Sequence, residues 1–258
     1  MAEFTGFTYN GIHSSTYHIL RVSNSNRYNL GLAPSMTEQT GTATGRDGSF
    51  YFGTTYKQKD ITIDFAFDSV TDSDISGLKQ WLNGKNIAPL IFDEMPDRAY
   101  SAKVSGAPTF KFVCFDGPNG GRIYKGEGNI KFVCFYPFAR ALSESTVPFI
   151  YTVQGQRQTK YERVVGGEAP TPFIYETTVA RDYLRNAAIG FGDYILYLAE
   201  PLTNARIRWD SHTGIVKQLD TGAPIPFSGC SMVGLLPGEV ISLPENSNAK
   251  ITFYNQYY

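Results

Sequence analysis

In the segment Tyr56–Asp68, YKQKDITIDFAFD, large apolar residues alternate with mostly polar ones from Asp60 onward. Ile61, Ile63, Phe65 and Phe67 fall on one side, and Asp60, Thr62, Asp64, Ala66 and Asp68 on the other. A period of two with one apolar face predicts an antiparallel strand that covers a core. The period then lengthens. Ile75, Leu78, Trp81 and Leu82 recur at helical spacing, which predicts an amphipathic helix over Asp72–Asn83. Thr71, Asp72 and Ser73 are candidate N-caps, and Gly84 is a natural stop. This is the one convincing helix pattern in the chain, and its apolar stripe requires a sheet to lie on.

A second pattern is a repeat. KFVCF occurs at Lys111–Phe115 and again at Lys131–Phe135, with the turn formers Asp116-Gly-Pro-Asn-Gly-Gly121 between the copies. Residues of this type suit a pleated, half-buried surface, so the stretch predicts two antiparallel strands around a tight turn. A turn centred near Asn119 sets Cys114 opposite a residue near Tyr124, well short of Cys134. The longer second strand has Gly126 and Gly128 on the face shared with Tyr124, Ile130, Phe132 and Cys134. Two glycines there mark a bulge or a close approach to the backbone. Pro137 ends that strand, because proline cannot donate to the ladder.

Shorter strands are predicted at Phe4–Tyr9 and Tyr17–Val22 around the turn Asn10-Gly11, and at Leu90–Phe92 and Ala99–Val104. Thr37–Gly53, TEQTGTATGRDGSFYFG, has four glycines, the tight-turn sequence Arg46-Asp47-Gly48 and the aromatic run Phe50-Tyr51-Phe52. It predicts a long exposed hairpin, either an ordinary surface loop or an arm that embraces a neighbouring subunit. After Arg140, ALSESTV at Ala141–Val147 is small and polar, as a linker would be. Beyond it strands recur at sandwich-like spacing: Pro172–Glu176, which echoes Pro148–Thr152, then Tyr194–Leu198, Ala205–Trp209, Gly214–Gln218, Glu239–Leu243 and Ala249–Tyr254. The fold class is therefore mainly β, in two domains over 1–140 and 141–258.

The totals narrow the function. The 258 residues are 42% hydrophobic and 18% charged, enough for a sizeable core. A net charge of −1 offers nucleic acid and anionic membranes no general attraction. No segment has the roughly 20 apolar residues of a membrane span, and MAEFTGFTYNG does not read as a signal peptide. The three cysteines, Cys114, Cys134 and Cys230, are an odd count without a C-x-x-C pair. They predict free, mostly buried thiols made in a reducing compartment.

Candidate chemistry is sparse. Asp93, Glu94 and Asp97 could be an acid–base pair or hold a cation. They read more simply as turn carboxylates that pair with Arg98. Trp209 beside His212 could offer a stacking platform to a sugar, or Trp209 could be core. No nucleophile elbow, phosphate loop or zinc spacing is present, and nothing requires a metal or cofactor.

The order of several pieces is specific. F-x-Y-N-G (Phe7, Tyr9, Asn10, Gly11) is followed by GRDGSFYFG (Gly45–Gly53), the alternating strand and the Trp helix. Then come I-F-D-E-x-P-D-R-A-Y-x-A (Ile91–Ala102) and G-x-G-N-I-K-F-V-C-F-Y-P-F-A (Gly126–Ala139). This order over the first 140 residues resembles the distal tail proteins of long, flexible-tailed (siphovirus-type) bacteriophages. The second half resembles them more loosely, at Gly166–Phe173, Leu235–Glu239 and Ile251–Tyr257, and departs at Asp182–Tyr194.

The resemblance implies a structural, non-enzymatic tail-tip protein (baseplate hub) of the virion, synthesised in the bacterial host cytoplasm. It implies a homohexameric ring that joins the tail tube protein to the tail-tip, or tail-associated lysin-like, hub protein and to receptor-binding proteins for host adsorption. The N-terminal domain would be β-sandwich-like with one helix and an extended hairpin arm, and the C-terminal domain an outward-facing galectin-like β-sandwich. Arg46, Phe50, Tyr51 and Phe52 would then make the inter-subunit contact. The alternative is a carbohydrate-binding or receptor-binding module that uses Trp209 and His212; a third reading is a hydrolase that uses Asp93 and Glu94.

Overall fold

The computed structural model of the chain describes residues 5–21, 34–42, 44–45, 47–83, 85–117, 120–147, 162–179, 188–191, 194–199, 202, 205–229, 234–242 and 249–258. The architecture is mainly β, with one α-helix among the described residues. Contacts divide it into two compact units, 1–139 with Tyr258, and 140–257.

The first unit holds β1 (Phe7–Tyr9), β2 (Ile12–His13), β3 (Ile19–Arg21), β4 (Met36–Gly41), β5 (Phe50–Tyr56), β6 (Lys59–Thr71), α1 (Asp72–Leu82), β7 (Ala88–Phe92), β8 (Met95–Val104), β9 (Thr109–Asp116) and β10 (Arg122–Cys134). Hydrogen bonds run β2-β1-β7-β8-β10-β6-β3, and β9 joins β10 off that path. The sheet forks at β10. One edge pairs with β6 along nearly the whole strand, and the other pairs with β9 over 122–129 and with β8 over 132–134. Cys114 sits opposite Tyr124, where the turn geometry predicted. Between Tyr124 and Gly126 the β6 register slips, and Ser69 takes up the extra residue at φ 60°.

Along β6 the alternation is realised in full, with Ile61, Ile63, Phe65 and Phe67 all buried. The helix begins as its sequence dictates. Thr71 Oγ1 accepts from the Asp74 N–H while the Asp74 carboxylate accepts from the Thr71 N–H, a capping box that satisfies two groups a helix start would otherwise leave open. Leu78, Trp81 and Leu82 are buried, and Ile75 is half-buried at the stripe's margin. Trp81 stacks on Phe7 with ring centroids 5.8 Å apart and donates its indole N–H to the Tyr9 carbonyl at 2.8 Å. Gly84 lies outside the described residues.

The N-terminal strands pair differently from expectation. Tyr9 and Ile12 close a two-residue turn at Asn10-Gly11, both with positive φ, so β1 pairs with β2 and β7. Residues 19–21 instead pair with β6, because a 3-10 turn over Ser14–Tyr17 carries the chain away.

The second unit holds β11 (Ala139–Ala141), β12 (Ser145–Val147), β13 (Glu162–Val164), β14 (Phe173–Val179), β15 (Ala188–Phe191), β16 (Tyr194–Leu198), β17 (Ala205–Asp210), β18 (Ile215–Gln218), β19 (Phe227–Gly229), β20 (Val240–Ser242), β21 (Ala249–Phe253) and β22 (Gln256–Tyr257). A five-stranded sheet, β12-β21-β14-β17-β18, and a three-stranded sheet, β15-β16-β19, contribute side chains to one core. Phe173, Ile207, Trp209 and Ile251 come from the first, and Leu196 and Leu198 from the second.

The polar stretch expected to be a linker is partly strand. Ser145–Val147 pairs with Ile251–Phe253 at a sheet edge, where small polar residues are well tolerated. Pro148–Thr152 lies outside the described residues, as do most of Asp182–Tyr194 and Cys230.

Candidate subunit-interaction site

The glycine-rich segment folds as a hairpin. β4 and β5 pair from Met36↔Tyr56 to Gly41↔Phe50 and form a two-stranded sheet of their own. The register shifts between Gln39 and Thr40, which leaves Phe52 as the extra residue, and Gly53 follows it at φ 134°. Such a conformation strongly favours glycine. The bulge turns Phe52 outward, and its ring lies over Gly41, where a β-carbon would sit 2.7 Å from it. Phe52 is 72% exposed and Tyr51 64%. Phe50 is also exposed, whereas Arg46 lies outside the described residues. At the hairpin's base Tyr56 packs edge-on against Phe138 at 5.0 Å, and the Lys57 N–H donates to the Ser35 carbonyl at 2.8 Å. The base is anchored and the aromatic run is displayed.

The two copies of KFVCF lie in different environments. In β10, Phe132 and Cys134 are fully buried. In β9 all eight residues are exposed, Cys114 included. Phe110 and Phe112 lean on the rings of Phe65 and Tyr124, at 5.4 and 5.1 Å, yet remain open to solvent. The expectation of mostly buried thiols thus fails at Cys114, because among the described residues β9 has a strand neighbour on one edge only and all of its residues are exposed. Sequence pattern placed this strand but not its exposure, since β propensity reports a fit to pleated structure and not whether a second layer covers it.

The two thiols differ in chemistry as well as place. Burial pushes the Cys134 thiol up to about 12, a shift that nearby Lys59 reduces only in part. Because the folded-state value is the higher, its contribution to stability is complete below the unfolded-chain value of 9.0 and fades as pH climbs toward 12. Iodoacetamide at pH 8 is therefore expected to modify Cys114 in the native protein and to spare Cys134 until the chain unfolds. Equal rates at the two sites, read by peptide mass mapping, would contradict this placement.

The acidic cluster is tied into the fold. Asp93 and Glu94 form the two-residue turn between β7 and β8. Asp93 accepts from the Gly6 N–H at 2.7 Å and faces His13 Nε2 at 3.2 Å. Glu94 pairs with the buried Arg21 guanidinium and accepts from the Thr5 hydroxyl. Asp97 pairs with Arg98 at 3.1 Å, which holds its carboxyl below the usual range. These carboxylates lock the β7–β8 turn to the N-terminal strands, and no group of acidic, histidine or cysteine residues among the described ones has metal-site geometry.

Trp209 is 1% exposed and meets Phe173 edge-on at 4.8 Å inside the second unit's core. A stacking platform requires an exposed ring, so the sugar reading of Trp209 is corrected: it sits at an inward position of β17, opposite Tyr175 and Val216. His212 is exposed in the following turn, where its N–H donates to Asp210 Oδ1 at 2.9 Å. No described helix is long and apolar enough to cross a membrane.

Comparison with known proteins places these features. Residues 12–134 match the family model of the phage tail protein RIFT-related domain. The fold is similar over 99% of this chain, and over all of the other, to the SPP1 Dit (gp 19.1) protein, described as a paradigm of hub adsorption apparatus in Gram-positive-infecting phages; the TM-score is 0.61 at 15% identity. A weaker likeness, TM-score 0.43 at 10% identity and 98% coverage of both chains, is to the phage P2 baseplate in its activated conformation. No curated protein matches the chain in sequence. Residues 12–134, which span the β6–α1 core and the β4–β5 hairpin, thus form a phage tail protein RIFT-related domain, and the chain as a whole shares its fold with a phage hub protein.

Proposed function

We propose that this protein is a structural subunit of the phage tail tip that closes with copies of itself into a homohexameric ring. In this reading the ring joins the tail tube to the tail-tip and receptor-binding proteins used in host adsorption. Residues 1–140 build the ring, and residues 141–258 form a galectin-like β-sandwich that meets the adsorption apparatus. One observation carries the reading: an anchored hairpin holds Phe50, Tyr51 and Phe52 in solvent within a domain of a phage tail family. A lone hairpin is marginal in water, and displayed aromatics are the residues that dominate interfaces once buried.

Deleting residues 46–52 tests it. Sedimentation is expected to show loss of the oligomer while the midpoint of thermal unfolding stays near that of the parent. Equal loss of assembly and of folding would mean that the hairpin serves the subunit's own stability and is no arm.

A further inference from the structure

We infer that the exposed strand β9 is the surface on which the β4–β5 hairpin of a second copy of this chain docks. The inference rests on the ring reading and names the receiving surface, which that reading leaves open.

β9 is a long, apolar edge. Among the described residues it pairs with β10 alone, so its other edge presents unpaired backbone groups. Proteins usually blunt such an edge with charge, proline or a cover. β9 has no proline and only two charges, Lys111 and the terminal Asp116. Val113 and Phe115 are more than half exposed, as is Phe112. An edge left this open is covered in the working assembly.

The hairpin has the complementary deficiency. It is a separate two-stranded sheet whose residues are nearly all exposed or half-exposed. Each copy therefore carries both the open β9 edge and a hairpin anchored only at its base, so the two are present in equal number. Aromatic side chains bury roughly 200 Å² each, so the exposed fractions amount to about 400 Å² of apolar surface on β9 and about 550 Å² on the hairpin. Together with the backbone edges this approaches the roughly 1,200 Å² at which stable interfaces begin.

The two surfaces differ, so their contact is heterologous and passes from copy to copy until it closes. A two-fold dimer through β9 alone would leave both hairpins uncovered.

Cys114 supplies the probe. In a Cys230→Ser background, Thr54→Cys or Thr40→Cys places one new exposed thiol on either hairpin strand. A short bismaleimide is expected to give a covalent ladder up to the hexamer from at least one of them, with Cys114 joined to the new cysteine. Cys114→Ser should abolish it. Separately, Val113→Asp should raise the concentration for half-assembly at least tenfold while the subunit stays folded.

A ring that survives by native mass spectrometry but yields no Cys114 adduct, or only an intramolecular one, overturns the β9 assignment and leaves the ring intact. A chain that forms no ring overturns both.

Discussion

Trp81→Ala is expected to be the most damaging single substitution in the first unit. The side chain is 4% exposed and touches three rings: Phe7 at 5.8 Å, Tyr17 at 5.4 Å and Tyr9 at 6.4 Å. The helix cannot settle to fill the space, because the capping box and the Tyr124–Asp72 hydrogen bond hold its N-terminal end to the sheet. Truncating a buried Trp costs about 3–5 kcal/mol. Losing the hydrogen bond from the indole N–H to the Tyr9 carbonyl adds about 1 kcal/mol. Against a typical net stability of about 5–15 kcal/mol, the domain is left marginal or unfolded at 25 °C. Trp81→Phe separates the two effects, since it keeps most of the ring packing and loses only the donor. Urea titration should find it between the parent and the alanine variant. Alanine within 1 kcal/mol of the parent would show that α1 is not the anchor.

Gly126→Ala is expected to detach β9 selectively. A β-carbon there would lie 2.0 Å from the Lys111 carbonyl oxygen and 2.8 Å from Phe112 Cα, both backbone atoms that cannot rotate away. Gly128 is similarly crowded, with the Thr109 carbonyl oxygen at 2.2 Å. Overpacking usually costs about 1–3 kcal/mol, and here it falls on a strand with no buried residues to hold it. The cheapest relief is for β9 to peel from β10. Amide exchange should show residues 109–116 losing protection while 59–71 keep it. Gly121→Ala is the control, because its β-carbon meets nothing within 4 Å and its effect should stay within about 0.5 kcal/mol. Indistinguishable variants would refute the close approach.

What could be read in the sequence was local. The alternation of β6 and the stripe and cap of α1 involve residues a few positions apart, and they appear where the pattern places them. The Cys114–Tyr124 register also followed, because a short turn leaves few alternatives. The β4–β5 hairpin was legible through its glycines and turn residues.

What could not be read depends on distant partners. The same pentapeptide has its Phe-Val-Cys centre buried in β10 and bare in β9, and only neighbours distant in sequence distinguish them. Glu94 and Asp93 find Arg21 and His13 across the sheet, over seventy positions away, so turn chemistry predicted a structural role but named only Arg98 as partner. Trp209 could be platform or core until its inward position on β17 decided it. The displayed aromatics of the candidate interface were half visible: the hairpin's run stood out, and that of β9 was hidden by its resemblance to a core strand.

In the proposed ring, these edges close on copies of themselves. Electron micrographs of the purified full chain at tens of micromolar test it most directly. Class averages are expected to show a closed ring with a central hole and six-fold symmetry. Single globules at that concentration, with a monomer mass in solution, would contradict it.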